Sequence, residues 1–332
     1  SGEPWHAGLR PSDAGTGGSL MSKALVTGGA GFIGSHIVDR LLGMGFDVAV
    51  IDNLSTGYRR NLNAKATFHE RDIRDGEAVR AIFEAERPSV VFHLAAQMDV
   101  RRSVADPVYD AQCNVLGSLN LLEAARATGV SKIIYASTGG AVYGEPLELP
   151  VRETHPINPI CPYGASKHTV EHYLFMYRAN YGLEYTVLRY PNVFGPRQDP
   201  HGEAGVVAIF SQLMLAGKQP RIFGRGDQTR DYVFVRDVVD ANMLALEGGH
   251  GCIYNVGTGV ETNVNQVFAA VAQALGYSGQ PDYAEERLGE ISRICLDAGL
   301  LRSELGWTPR YTFEEGIQEA TAFYKDQAQS GI

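Results

Sequence analysis

The chain has 332 residues, 44% of them hydrophobic, and a net charge of −9. That length exceeds what one small core organises, so two lobes are expected, and the acidic balance gives no reason to expect nucleic acid or an anionic membrane as partner. No apolar run approaches the ~20 residues of a membrane span. The four cysteines, Cys113, Cys161, Cys252 and Cys295, are scattered without CxxC pairing, so neither a metal site nor a disulfide framework is indicated, and a reducing cytoplasm fits.

Residues 1–20 are rich in Gly, Ser and Pro and read as a leader or disordered extension ahead of Met21. Ala24-Leu25-Val26 is a short apolar strand, and Phe32 to Met44 reads as a helix with apolar Ile33, Ile37, Val38, Leu41 and Leu42. Between them runs Thr27-Gly28-Gly29-Ala30-Gly31-Phe32-Ile33-Gly34, a GxxGxxG turn at a strand-to-helix junction. There, absent side chains let the backbone approach a pyrophosphate at the helix N-terminus. A second strand, Val48–Ile51, ends at Asp52, where a carboxylate accepts both adenosine ribose hydroxyls and repels a 2′-phosphate; NAD is favoured over NADP. Arg59 and Arg60 stand further into the following loop.

Strands are then expected at Ala66–Glu70, Val90–Leu94, Lys132–Ala136 and Tyr185–Arg189, alternating with helices at Gly76–Glu86, Pro107–Thr128 and Gly164–Tyr181. This alternation implies a doubly wound parallel α/β sheet with right-handed crossovers. Past Tyr190 come a Pro- and Gly-rich stretch, a helix at Val206–Ala216, a strand at Arg221–Gly224 and a helix at Asn265–Leu275. Residues 21–190 plus about 233–256 are expected to form a Rossmann domain, and about 191–232 plus 257–330 a smaller, discontinuous α/β substrate domain over the sheet's carboxyl edge.

Tyr163 and Lys167 in Pro162-Tyr163-Gly164-Ala165-Ser166-Lys167 are i and i+4 on a helix, so phenol and ammonium share a face. A free tyrosine titrates near ~10, and a neighbouring cation favours the phenolate. Beside a dinucleotide, a phenol tuned this way is the acid–base group of a hydride-transfer enzyme.

These strings, together with Asp52-Asn53-Leu54-Ser55-Thr56-Gly57, Asp72-Ile73, His93-Leu94-Ala95-Ala96, Val142-Tyr143-Gly144, Arg189-Tyr190-Pro191-Asn192-Val193-Phe194-Gly195-Pro196 and Arg230-Asp231-Tyr232-Val233, resemble the extended short-chain dehydrogenase/reductases, in their NAD-dependent epimerase/dehydratase group. The resemblance runs from Lys23 to about Lys325 and is greatest to epimerases that interconvert UDP-galactose and UDP-glucose. It implies that Gly28, Gly31, Phe32, Ile33, Gly34, Asp52 and Asn53 hold NAD at one end, with Asp72 and Ile73 at the adenine. Leu94, Ala95, Ala96, Asn114 and Tyr190 would line the rest of the cofactor cleft with Tyr163 and Lys167. Thr138, or alternatively Ser137, would be the hydroxyl that bonds the substrate 4-oxygen or Tyr163, in a loop after the strand.

By the same resemblance, Asn192, Arg230 and Arg287 would hold the diphosphate, Arg221 and Phe223 the uracil, Glu290 a ribose hydroxyl, and Val206 the substrate. Glu290 departs slightly from the aspartate common there. Counting from Trp307 in Leu305-Gly306-Trp307, the family's sugar-pocket gate falls on Ile294. The implied reaction removes the sugar 4-OH proton at Tyr163 while hydride leaves C4, then returns both to the other face, with NAD bound throughout. Lys167 would orient the nicotinamide ribose and depress the phenol. A 4,6-dehydratase needs an acidic residue after the hydroxyl residue, where this chain has Gly139 and Gly140. UDP-N-acetylglucosamine or UDP-glucuronate 4-epimerisation, a net dehydrogenase and a non-catalytic dinucleotide-binding role remain as alternatives. The helices 107–128 and 164–181 are expected to build a four-helix homodimer interface.

Overall fold

The computed structural model describes residues 22–200, 205–286 and 291–330; the segment 1–20, Arg287 and Glu290 lie outside them. Six strands open the chain: β1 (Lys23–Thr27), β2 (Asp47–Asp52), β3 (Thr67–Glu70), β4 (Val90–His93), β5 (Lys132–Thr138) and β6 (Glu184–Tyr190). With β11 (Cys252–Asn255) they make one sheet in the order β11-β6-β5-β4-β1-β2-β3, parallel throughout. A parallel sheet is covered on both faces, which is why its strands read as unbroken apolar runs; Ala24, Leu25 and Val26 are fully buried. The order reverses between β1 and β4, and there a doubly wound sheet opens its ligand crevice.

Helices α1 (Phe32–Gly43) and α2 (Gly76–Glu86) fall where the apolar period places them. The Asp75 carboxylate accepts the Ala78 N–H and caps α2. A short helix, α3 (Val100–Ala105), lies where no element was expected. The single helix expected over 107–128 is instead α4 (Pro107–Ala111), a π turn at Gln112–Leu116, and α5 (Gly117–Thr128). The wide turn accompanies an inward Asn114, 2% exposed, that bonds Gln97 and Ser166. Helix α6 (Pro162–Tyr181) follows a long loop.

Beyond β6 the elements are short. Strands β7 (Asn192–Phe194) and β10 (Tyr232–Phe234) pair parallel, as do β8 (Arg221–Phe223) and β13 (Asp282–Ala284), while β9 (Thr229–Arg230) and β12 (Thr262–Asn263) pair antiparallel. Around them stand α7 (Val206–Leu215), α8 (Val235–Glu247), α9 (Val264–Leu275), α10 (Gly299–Leu305) and α11 (Phe313–Ser330). One apolar cluster runs from Val26 and Ile37 through Phe194, Phe210 and Val267 to Trp307, so a single core crosses the expected domain boundary.

Candidate active site

The glycine turn is built by close approach. Gly28 has φ +71°, and a Cβ there would stand 2.9 Å from the Ala95 nitrogen; a Cβ on Gly34 would stand 2.2 Å from the Gly28 carbonyl oxygen. Helix α1 begins at Gly31 with no side-chain cap, so its first N–H groups are free of a capping oxygen and suit an anion. Phe32 and Ile33 lie half-buried on that first turn. Asp52 Oδ2 accepts the Ala30 N–H (3.0 Å) and Oδ1 the Leu54 N–H (2.8 Å), so the carboxylate clips the turn to the end of β2. Burial pushes its carboxyl up.

Asn53 donates to Asp72 (2.9 Å), and Arg74 forks onto both Asp72 oxygens, holding that carboxyl down at about 2. Ile73 is buried against Gly117. Arg59 is engaged with Glu70, and Arg60 stacks on Tyr58. Across the crevice, Thr27 Oγ1 accepts the Leu94 and Ala95 N–H groups (both 3.1 Å), fixing the chain after β4, and Ala96 follows half-buried.

The second half of the site sits on β5 and α6. Strand β5 runs two residues further than expected, so Ser137 and Thr138 belong to the strand and not to a loop. Alternation then sends them to opposite faces. Ser137 donates to buried Glu171 (2.6 Å), whereas the Thr138 hydroxyl lies on the side of the Tyr163 phenol and favours its phenolate. The two hydroxyls are therefore distinguished by geometry.

Lys167 is 3% exposed, one turn beyond Tyr163, with its Nζ 4.2 Å from the Tyr135 ring centroid. Burial dominates and pushes Tyr163 well above the tyrosine range, opposed only in part by Thr138. Burial also drives the Lys167 ammonium down to about 7, against Glu171 and Asp110.

Behind them Glu171 and Arg189 form a buried ion pair (Nη2 to Oε2 2.6 Å, Nε to Oε1 3.0 Å), extended from Arg189 Nη1 to Tyr143 (2.9 Å). Sequence reasoning passed over Glu171, although it follows Lys167 at i+4 and so shares its helix face. Asn114 and Gln97 pair through backbone and side chain (2.8 and 2.9 Å) beside this helix.

The substrate-side residues are more dispersed. Asn192 and Arg230 are half-buried, joined to Asp231 (3.0 Å) and Thr229 (2.8 Å) by the Asn192 N–H and Arg230 Nη1. Val206 opens α7, Phe223 ends β8, and both are half-buried. Arg221 is exposed and paired with Asp282 (2.8 Å). The Tyr190 phenol meets Asn242 (2.7 Å) inside the core. Ile294, 3% exposed, packs with Val142, Tyr143, Val151 and Leu296. Leu296 lies over Gly139 so closely that a Cβ there would stand 2.3 Å from its Cδ1, so any side chain at that position has to displace buried Leu296.

A doubly wound parallel sheet, an open glycine turn and a hydroxyl–tyrosine–lysine set define a dinucleotide-dependent enzyme of the short-chain dehydrogenase/reductase type. Residues 24–257 match the model of the NAD dependent epimerase/dehydratase family, and the chain belongs to that family. A UDP-glucose 4-epimerase of Mycolicibacterium smegmatis is 48% identical over 92% of this chain and 100% of its own length. The structure of the Thermotoga maritima UDP-glucose 4-epimerase with UDP-glucose superposes with a TM-score of 0.91 at 49% identity, over 92% of this chain and 99% of that one. The Thermus thermophilus UDP-glucose 4-epimerase complexed with NAD gives a TM-score of 0.87 at 48% identity, over 91% and 99%.

Proposed function

We infer that this protein is an NAD-dependent nucleotide-sugar 4-epimerase that interconverts UDP-galactose and UDP-glucose through a 4-keto intermediate. The observation that carries the reading is the set made by Thr138 at the end of β5, Tyr163 at the start of α6 and buried Lys167 one helical turn on. The glycine cradle at Gly28, Gly31 and Gly34 fits a pyrophosphate, and Asp52 stands where an adenosine ribose would meet it. NAD, when bound, supplies the hydride acceptor for C4 and a cationic ring whose charge lowers the phenol.

Tyr163 takes the proton of the sugar 4-OH and returns it after the sugar has turned over. Thr138 orients that phenol, and Lys167 holds positive charge beside it. Because Tyr163 takes and returns one proton per turnover, the site needs no proton path to solvent. Residues 21–190 and 233–256 are assigned to NAD; 191–232 and 257–330, with Asn192, Arg221, Phe223, Arg230 and the segment 287–290, are assigned to the UDP-sugar.

A homodimer and a cytoplasmic location complete the reading. Val104, Val108, Leu116, Phe175 and Met176 expose apolar side chains on neighbouring helices α3, α4 and α6 and the π turn. Among the described residues no helix is long and apolar enough to cross a membrane. The function is tested by incubating the purified protein with UDP-galactose and no added cofactor, following products by anion exchange. UDP-glucose is expected, and Tyr163→Phe should slow its formation about 10²–10⁴-fold without loss of fold. No conversion by the wild type, with or without NAD, defeats the reading. Sedimentation tests the dimer: Phe175→Asp should halve the mass.

A further inference from the structure

Helix α6 carries a histidine pair outside the catalytic set. His168 and His172 stand one turn apart, and their Nε2 atoms approach to 3.1 Å, with ring centroids 4.5 Å apart. His172 is exposed and His168 half-buried, so the two nitrogens meet at the surface. On its inner side, His168 Nδ1 lies 2.9 Å from Glu171 Oε2. Glu171 is ion-paired with Arg189 and, as a carboxylate, only accepts. His168 Nδ1 therefore holds the ring proton, and His168 Nε2 is left with a lone pair toward its neighbour.

Two imidazole nitrogens at that separation match neighbouring ligands of one metal ion. With metal–nitrogen bonds of ~2.0–2.1 Å, the 3.1 Å between them subtends about 100° at the metal, between the tetrahedral and square angles. The Glu171 carboxylate supplies the outer-shell bond that fixes the tautomer and orientation of a ligating histidine. Among the described residues no third His, Cys, Asp or Glu completes a metal-holding group, so the remaining positions fall to water.

His168-Thr169-Val170-Glu171-His172 also has the H-x-x-E-H spacing found on zinc-hydrolase helices, where the glutamate activates water. Glu171 is not free to do so. It is 3% exposed, and its oxygens accept from Ser137 (2.6 Å) and from Arg189 (3.0 and 2.6 Å) as well as facing His168. The geometry supports ion binding without hydrolysis.

We propose that His168 and His172 form a site for a divalent transition-metal ion of the Zn2+, Ni2+ or Cu2+ type on the outer face of α6, with Glu171 orienting His168. The ion takes the place of the proton between the two Nε2 atoms, and His172 carries its proton on Nδ1 instead. Bound there, it ties together two turns of the helix that holds Tyr163 and Lys167. The site does not rest on the epimerase reading.

The test uses untagged, NAD-bound protein freed of metal by chelation. Calorimetric titration at neutral pH should give one Zn2+ per chain, while Mg2+ and Ca2+, which prefer oxygen ligands, should give no binding. Cu2+ at one per chain should show an electron paramagnetic resonance spectrum split by two imidazole nitrogens. His172→Gln, at an exposed position, should keep the Tm and bound NAD of wild type, weaken Zn2+ binding at least about tenfold and leave one nitrogen in the copper spectrum. His168→Gln should weaken binding likewise, so the result does not hang on one variant. The proposal is overturned if wild type takes up no Zn2+, or if His172→Gln binds it as tightly or retains the two-nitrogen spectrum. Half an ion per chain would also overturn it, since the ion would then be held between two subunits. These readouts decide the site whether or not UDP-galactose is turned over.

Discussion

Replacing Glu171 by Gln should destabilise the protein more than any surface change, and the size follows from two independent routes. The carboxylate is 3% exposed and accepts from Ser137, from Arg189 twice and from His168. Those bonds and the Arg189 charge outweigh burial and hold its carboxyl at about 2 against an ordinary 4.5. That difference corresponds to about 3 kcal/mol of folding stability at neutral pH. Removing one partner of a buried pair costs about 3–5 kcal/mol by mutational precedent, because the other charge is left uncompensated; Arg189 is also only 3% exposed.

A loss of that size lowers Tm by roughly 6–20 °C at about 2–4 °C per kcal/mol. Because the folded-state pKa is depressed, this stability is complete above pH 4.5 and disappears as pH falls through about 2. Urea unfolding of wild type and variant at pH 7 and pH 3 is the assay. The gap should be full at pH 7 and shrunken at pH 3, and Glu171→Leu/Arg189→Met should recover much of it. A gap under about 1 kcal/mol at pH 7, or a double variant no better than the single, would refute the reasoning.

Gly34→Ala sets a Cβ 2.2 Å from the Gly28 carbonyl, a backbone atom that cannot give way; the purified protein should carry much less NAD, measured by absorbance after acid release, and full occupancy would contradict the cradle. Gly139→Ala pushes against buried Leu296 at 2.3 Å and should cost about 1–3 kcal/mol in urea unfolding, relieved when Leu296→Ala is added. His93, fully enclosed and hydrogen-bonded to Thr27 and Ser118, is held at about 3 by burial against an ordinary 6.5. Its neutral form is the folded one, so stability falls as pH drops below 6.5. By pH 4.5 the loss from this group is about 2–3 kcal/mol, and a variant His93→Asn should show a correspondingly flatter acid limb in urea midpoints.

Much of the frame is local pattern. The period-3.6 apolar positions place α1 and bound α2 at Gly76 and Glu86, and the strand, glycine turn and helix from Lys23 to Gly43 follow from residues in direct succession. The i, i+4 relation of Tyr163 and Lys167 is equally local, and so is the alternation that makes the sheet parallel. None of this depends on what the chain meets far away.

The rest was decided by tertiary contact. No period announces the π turn at Gln112–Leu116, which exists with Asn114 bound to Gln97 and Ser166 across the chain. Whether Ser137 or Thr138 meets the phenol depended on where β5 stops and on the presence of Glu171 behind it. The two-residue strands β9 and β12 exist only as each other's partners. Ile294 packs with Val142, Tyr143, Val151 and Leu296, and the Tyr190 phenol meets Asn242 of α8, contacts between residues far apart in the chain that no local pattern announces. Residue type and spacing determine which groups can do the chemistry. Which of them are buried, paired or left charged depends on neighbours distant in sequence, and burial and pairing are what set a pKa and a reach.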